Sequence, residues 1–568
     1  MASTSGWSLA ERSSRWRAAA TVAVALVVAT TGLVRVASPR FYPDDPIFAD
    51  DDMALDASAA SPIEDANSYD FVVNTFSAPG EKRDVRALNV NTLDEVPDSS
   101  WFQNRSRQSR TVADIVRGPD RLPSISLEGW MVSGGKSTGV QPGFRMTDPQ
   151  GQLYQIEFDP PDNPEMASGA EIIGTAFYHA FGYHVVDVYL AELDPDKLVI
   201  SEKATLWDPR EARRRRLTRR EIDKVLRRGA EQDNGKYRVI VSRFAEGTPL
   251  GNFRYYGMRP DDPNDIVLHE HRRELRAARV FGAWLNHDDS RGVNSLDMLA
   301  TERNRKFIKH YMFDFGSTLG SGTVYEQRHR PGNEYILEWK PGWLTLATLG
   351  FYTRPWLHID YPDDMPPAVG RIEATAFNPA EWKPEYPNAA FDNMRPDDAF
   401  WAARIVAGFD PASIRAIVEK ARYSDPRATD YMTDVLMRRK EKVLRTWLTA
   451  VNPIVDVALS DSGELTFANA AEKAGVASPA QAYIVQWSRF DNATGTSANV
   501  GEAQEIASTT FRAPAALVSS ARAGDYVEVS IATRHAEHAR WMAPVTAHFR
   551  RGTSRWELVG LQRLPEQR

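Results

Sequence analysis

The sequence predicts an α+β protein in two lobes, the first rich in strands and the second rich in helices, with an antiparallel β-sandwich appended at the C-terminus. Three observations lead there. Apolar and polar residues alternate around glycine turns from Gly129, with one helical pattern set among the strands. Helical patterns dominate the chain between His269 and Leu448. After Asn452-Pro453 the alternation returns in IVDVAL, AYIVQWSRF, DYVEVSIAT, PVTAHFRR and WELVGLQRL, between Gly, Asn and Ser turns. A chain of 568 residues is too long for one core and fits two or three domains. The divisions fall at 1–40, an N-terminal address; 41–122, a polar spacer and irregular segment; 123–255, the first lobe; 256–450, the second; and 452–568, the sandwich.

Composition excludes several classes. The apolar fraction of 42% is ordinary for a globular protein, and a net charge of -7 gives no general attraction to nucleic acid. The chain has no cysteine, which removes disulfides, thiolate zinc sites, cysteine nucleophiles and a lipid-modified N-terminal cysteine together. Arg12, Arg15 and Arg17 precede an uninterrupted run of small and apolar residues from Ala18 to Val34, and the chain turns acidic at Asp44, Asp45 and Asp50 to Asp52. That bias predicts an exported body, held in the membrane by a signal anchor or freed from a signal peptide, in the periplasm or cell envelope of a bacterium. At about 1.5 Å per residue the run reaches about 25 Å, short of the ~30 Å hydrocarbon core.

From Phe41 to about Leu122 the chain is rich in Pro, Asp, Asn and Ser, and it reads as a spacer leading into a segment that wraps the main domain. GWMVSGGKSTGVQPGFRMTD (Gly129 to Asp148) then predicts two strands about a glycine loop, and GQLYQIEFDP a third strand. Gly134, Gly135 and Gly139 lack the Cβ that would keep backbone N–H groups from a phosphate, and Lys136 adds a cation; a plain hairpin turn accounts for the same residues. Met166 to Val185 predicts a helix carrying Glu171 and stopped by Gly182. Two strands follow, around Val185 to Ala191 and Lys197 to Leu206. Asp208 to Gly229, with its arginine run, predicts a helix that either faces water or offers a basic patch to an anionic substrate. Lys236 to Phe244 is a further strand, and Glu246 to Asp265 a loop-rich crossing into the second lobe.

A helix from His269 to His287 leads into NHDDSRGVN (Asn286 to Asn294). Ser295 to Ser317 then predicts a hairpin whose second strand ends in FDFGS (Phe313 to Ser317). Beyond an aromatic- and proline-rich region, Asp397 to Ala407, Pro411 to Ala421 and Pro426 to Leu448 predict three helices, two of them opened by Asp-Pro. Asp288 and Asp289, the amide Asn294 and the carboxylate Asp314 stand in the order that metal-assisted phosphoryl transfer uses. Turn-forming preference explains the same residue types. His269, Glu270, His271 and His287 beside the two aspartates keep a divalent-metal hydrolase open.

The pattern D-x-x-x-x-N followed by D-F-G resembles the catalytic and metal-binding loops of the atypical protein-kinase-like superfamily, the HipA-like, CotH-like and phosphatidylinositol-kinase-like enzymes. The resemblance spans about Gly129 to Ala450. It implies a two-lobed protein-kinase-like fold, Mg-ATP (or Mn-ATP) as donor, and an unidentified hydroxyl acceptor on a protein, lipid or glycan. It further implies Asp314 and Asn294 as metal ligands and Asp289 as the residue that orients the hydroxyl, with Asp288 able to exchange for it. Lys136 and the glycine backbone would then cradle the phosphates, and Glu171 would orient the lysine. The chain departs from the family at Glu157, which stands where a lysine is expected on the third strand. Lys136 would supply the cation from the glycine loop, as in the with-no-lysine kinases; otherwise the protein is a pseudokinase or scaffold that binds without transferring.

Overall fold

In the computed structural model, residues 39–564 are described apart from 137, 138 and 209, so the apolar run from Ala18 to Val34 lies outside the described residues. Strands β1 (Met131–Gly135), β2 (Gly143–Thr147) and β3 (Leu153–Phe158) form an antiparallel meander. They are extended into a seven-stranded sheet by β4 (Val188–Leu193), β5 (Val199–Asp208), β6 (Arg213–Arg216) and β7 (Tyr237–Arg243), in the order β4-β7-β3-β2-β1-β5-β6. Period-two alternation gives the sheet two apolar faces. On one, Val132, Phe144, Ile156, Phe158, Val239 and Val241 close a core with Ile222 and Leu226 of helix α2 (Arg219–Leu226). On the other, Val188 and Ile240 meet Ile172 of helix α1 (Met166–Phe181).

The arginine run is a correction to the expected helix. Arg213–Arg216 pair with β5 as a charged edge strand, and the helix begins only at Arg219, behind a capping box of Thr218 and Glu221. Asp208 accepts from the Arg210 N–H and pairs with Arg215, which turns the chain back along β5 instead of starting a helix. Lysine- and arginine-rich edges resist pairing with other chains.

Helix α1 is almost wholly buried and ends at Gly182, whose φ of 129° and contact with the Phe102 ring leave no room for a side chain. It passes from the sheet into a large helical core. There Phe181 stacks on Phe281 with ring centroids 4.1 Å apart, and α3 (Arg273–Leu285) packs with α5 (Pro396–Ala407), α6 (Pro411–Glu419) and α7 (Pro426–Trp447). Ahead of α3, β8 (Thr248–Pro249) joins β9 (Ser295–Glu302) and β10 (Arg305–Met312), which follow α3, in one antiparallel sheet, and the short helix α4 (Trp339–Ala347) comes before α5. Arg303 and Asn304, both at positive φ, make the two-residue turn between β9 and β10.

The segment read as a spacer packs against the body at several points. Trp101 stacks on His310 at 3.5 Å, Val96 and Phe102 enter the helical core, and Asp94 pairs with Arg273 of α3. Its polar composition goes into hydrogen bonds with the body: Asn89 accepts from the Arg273 N–H, and Glu95 from the Trp401 indole. At the C-terminus two antiparallel sheets face each other over a shared core. One is β11 (Ile454–Leu459), β12 (Glu464–Asn469) and β16 (Thr510–Arg512). The other is β13 (Ala482–Asp491), β14 (Thr496–Asn499), β15 (Gln504–Ile506), β17 (Tyr526–Arg534), β18 (Val545–Arg551) and β19 (Trp556–Gln562). Phe41 closes one end of this unit against Phe490 and Val559. The whole is α+β, built from several antiparallel sheets and one helical core.

Candidate active site

The hairpin register decides which motif residues meet. Ser295 pairs with Met312, so Asn294 and Phe313 flank the open end of the β9–β10 ladder, and the Phe313 N–H donates to the Asn294 carbonyl at 3.4 Å. Asp314 follows with φ 65° and ψ 59°, a left-handed conformation that aspartate tolerates better than most residues, and its side chain is exposed. Phe315 turns the other way, into the core, and stacks on Tyr178 of α1 at 4.5 Å. Gly174 of α1 permits this approach, since a Cβ there would sit 2.6 Å from the Phe315 Cβ.

Loop Asn286 to Asn294 is knitted to itself and to a distant strand-like segment. Asn286 caps α3 in the left-handed region and donates to Gln327 at 3.0 Å. Gln327 in turn donates to Asp288 Oδ1 at 2.6 Å. The Asn294 amide donates to the Asp289 carbonyl at 2.9 Å. The Asp289 carboxylate is ion-paired with Arg291, which also holds Glu385 at 3.1 Å. Asp289 is therefore engaged, and Arg291 would have to yield before it could orient a hydroxyl. Burial, with the Glu385 charge adding, pushes Asp288 up to about 7. Burial also raises Asp289 well above the usual range; Arg291 opposes the shift, and Glu385, Asp288 and Asp314 add to it.

The sheet contributes a second group, arranged differently from the expectation. Gly134 and Gly135 belong to strand β1 and lie against Arg145 and Leu206, so they form no phosphate loop. Gly139 does lie in the turn, at φ 83°, and a Cβ there would come 3.0 Å from the Lys136 ammonium. Lys136 pairs with Glu157 and donates to the Gln141 carbonyl at 3.2 Å. Lys136 thus reaches across to β3, and Glu157, not Glu171, receives it. Glu171 instead accepts from the Thr175 hydroxyl at 3.4 Å and faces the backbone N–H groups of Phe315 and Gly316. Burial, Asp314 and Glu157 all raise the Glu171 carboxyl against the downward draw of those N–H groups, while burial and Asp314 raise Glu157 against the pull of Lys136.

Glu157, Glu171 and Asp289 therefore all feel the Asp314 charge, with Lys136 and Arg291 set against it. Beside them opens a cleft of about 570 Å³, lined by Asp288, Asp289, Arg291, Gln327, Arg328, Arg330, Arg371 and Glu385. Sequence reasoning missed the cleft's basic wall. Arg291 stood inside the motif and was legible as a cation; Gln327, Arg328, Arg330 and Glu385 come from a region with no periodicity to flag them.

Among the described residues no group of three or more His, Asp or Glu side chains is placed to hold a metal ion alone. Magnesium on a phosphate-bearing ligand asks less, one or two carboxylates from the protein. Asp314, with the oxygen of the Asn294 amide whose nitrogen is already used, fits that demand. The histidines fit a metal poorly. His269 and His271 form a 3₁₀ turn ahead of α3. Both ring nitrogens of His269 are engaged, with the Arg254 carbonyl and Asp265; His271 meets Arg276. His287 bonds the Tyr178 hydroxyl at 2.8 Å and is held neutral, its pKa lowered to about 3 mainly by burial. No protein-family model matches this chain, and comparisons with curated proteins and with solved structures find no match to it.

Proposed function

We propose that the protein is a membrane-tethered phosphotransferase of atypical protein-kinase-like build, acting outside the cytoplasm with Mg-ATP or Mn-ATP on a hydroxyl acceptor. The observation that carries this reading is the junction at Asp314. One hairpin register sets it beside Asn294, and Glu171 of α1 faces the turn closely enough that, beyond burial, the Asp314 charge raises its carboxyl. A three-stranded meander, then a helix, then strands pairing back beside β3 support the same build.

In this reading Asp314 and Asn294 would hold the metal, and a divalent cation there would offset the charge that builds up as phosphoryl transfers. Lys136 and the Gly139 turn lie on the phosphate side. The acceptor hydroxyl enters by the basic cleft, where Arg330 and Arg371 suit an anionic acceptor. The acceptor oxygen bonds to the terminal phosphorus, the bond to the bridging oxygen breaks, and ADP leaves. The hydroxyl proton passes to Asp289 once Arg291 is drawn to the incoming anion, or to Asp288, whose pKa near 7 suits a proton carrier.

Two contacts favour a second reading, a scaffold that binds without transferring: Glu157 neutralises Lys136, and Arg291 occupies Asp289. Calorimetric titration of Mg-ATP and Mn-ATP separates the cases. The phosphotransferase reading expects metal-dependent binding that Asp314→Ala abolishes, accompanied by ADP formation. Binding without ADP under any acceptor tried, or no binding by folded wild-type protein, removes the phosphotransferase and leaves the scaffold.

A further inference from the structure

Among the described α-helices, α4 alone has no buried residue. Trp339, Trp343 and Leu346, at the spacing that shares one helical face, are 61%, 63% and 63% exposed, and Leu349 and Phe351 just beyond reach 88%. The excursion is nonetheless anchored. Glu334 receives both the Arg354 guanidinium at 2.9 Å and the Trp356 indole at 2.7 Å, and Arg354 also donates to Thr345 of the helix at 3.1 Å. An apolar surface held in place and left uncovered marks a contact site.

The chemistry of the patch selects its partner. Between Glu338, which pairs with Lys383, and Asp360 the excursion carries no acidic residue; Arg354 is taken by Glu334, and Lys340 is its exposed cation. With Glu334 taken by Arg354 and Glu338 by Lys383, a second copy docking by symmetry would meet Lys340 with no free carboxylate of the excursion to pair it. Tryptophan and leucine on a short helix, with lysine and arginine beside them, are what the headgroup layer of a bilayer takes up. The sequence supplies an apolar run at Ala18–Val34 that would keep the body near such a surface. Trp356, which closes the base of the excursion, also lines the basic cleft, where Arg328 makes no hydrogen bond or ion pair within the described residues.

We propose that α4 and the turn to Phe351 dock into the headgroup layer of an anionic bilayer, bringing the mouth of the cleft to the membrane surface. The absence of cysteine makes the test clean. Full-length protein carrying Leu349→Cys is labelled with an environment-sensitive fluorophore and mixed with vesicles of equal parts phosphatidylglycerol and phosphatidylcholine. Ala498→Cys, exposed on the edge strand β14, serves as the control that the tether alone would bring near the vesicle. The expected result is a blue shift and several-fold brightening at position 349 only, quenched by nitroxide lipid and lost when Trp343→Asp and Leu346→Asp are added. A label at 349 that behaves like the one at 498 overturns the proposal. So does an equal response with phosphatidylcholine alone, or shielding that rises with protein concentration before any vesicle is added, which would assign the patch to a second copy. No nucleotide is involved, so the outcome is independent of the phosphotransfer reading.

Discussion

Asp288 and Asp289 are adjacent in sequence yet answer to different neighbours, and the difference is testable. Asp288 sits 6% exposed against Gln327, with its carboxyl near 7 rather than 3.8. A carboxyl that holds its proton longer in the folded state than in the unfolded one favours folding at low pH. That contribution is lost as pH climbs from about 4 to about 7. Asp288→Asn keeps the oxygen that accepts from Gln327 and cannot ionise. Its stability relative to wild type should therefore grow across that window and level off above it, by on the order of a few kcal/mol. Urea midpoints at pH 4.5, 6 and 8 check this, and a pH-independent difference would remove it. The aspartates, Asn294 and Asp314 were legible as a group because their order and the hairpin between them are local properties. The Arg291–Asp289 pair and the Glu157–Lys136 pair were not, since each partner is chosen by packing across elements that carry no shared sequence signal.

At the scale of elements, glycine is read two ways. Gly134 and Gly135 resembled a phosphate loop in the sequence, but the parallel partner β5, nearly seventy residues on, draws them into a strand, and no local pattern announces that pairing. Gly174 drew no attention, yet α1 depends on it to reach the Asp314 turn. Gly174→Ala should push Phe315 away, cost about 1–3 kcal/mol by overpacking, and weaken ligand binding more than its stability loss explains, because Phe315, stacked on Tyr178, carries the adjoining Asp314 turn with it. Thermal unfolding beside calorimetry distinguishes this from simple destabilisation, which would leave affinity intact in the folded fraction. The long helices were legible through period and caps: Asp410 and Asp425 cap α6 and α7 with proline in the first turn. The arginine strand was not, because edge strands carry charge on both faces and mimic a solvated helix.

At the scale of the molecule, a buried arginine ties three parts together. Arg273, fully buried on α3, meets Asp94 from the N-terminal segment and Asp397 and Asp398 from α5. These carboxylates lose their common partner in Arg273→Met, which should cost about 3–5 kcal/mol; an unchanged urea transition would show the cluster to be solvated. The wrapping of this segment was legible from its irregular composition, whereas its depth was not, since polar residues bury only against partners that sequence leaves unnamed. Its first described residues have a mechanical consequence. Arg40 bonds Gln562 and Phe41 fills the space that Gly560 leaves open. Any pull transmitted through the chain ahead of Pro39 is thus taken first by the last strand of the sandwich, and must peel Phe41 free before it can load the Asp94–Arg273 clasp. The sandwich would act as a strain relief, taking up tension on the chain ahead of Pro39 before it reaches the helical core.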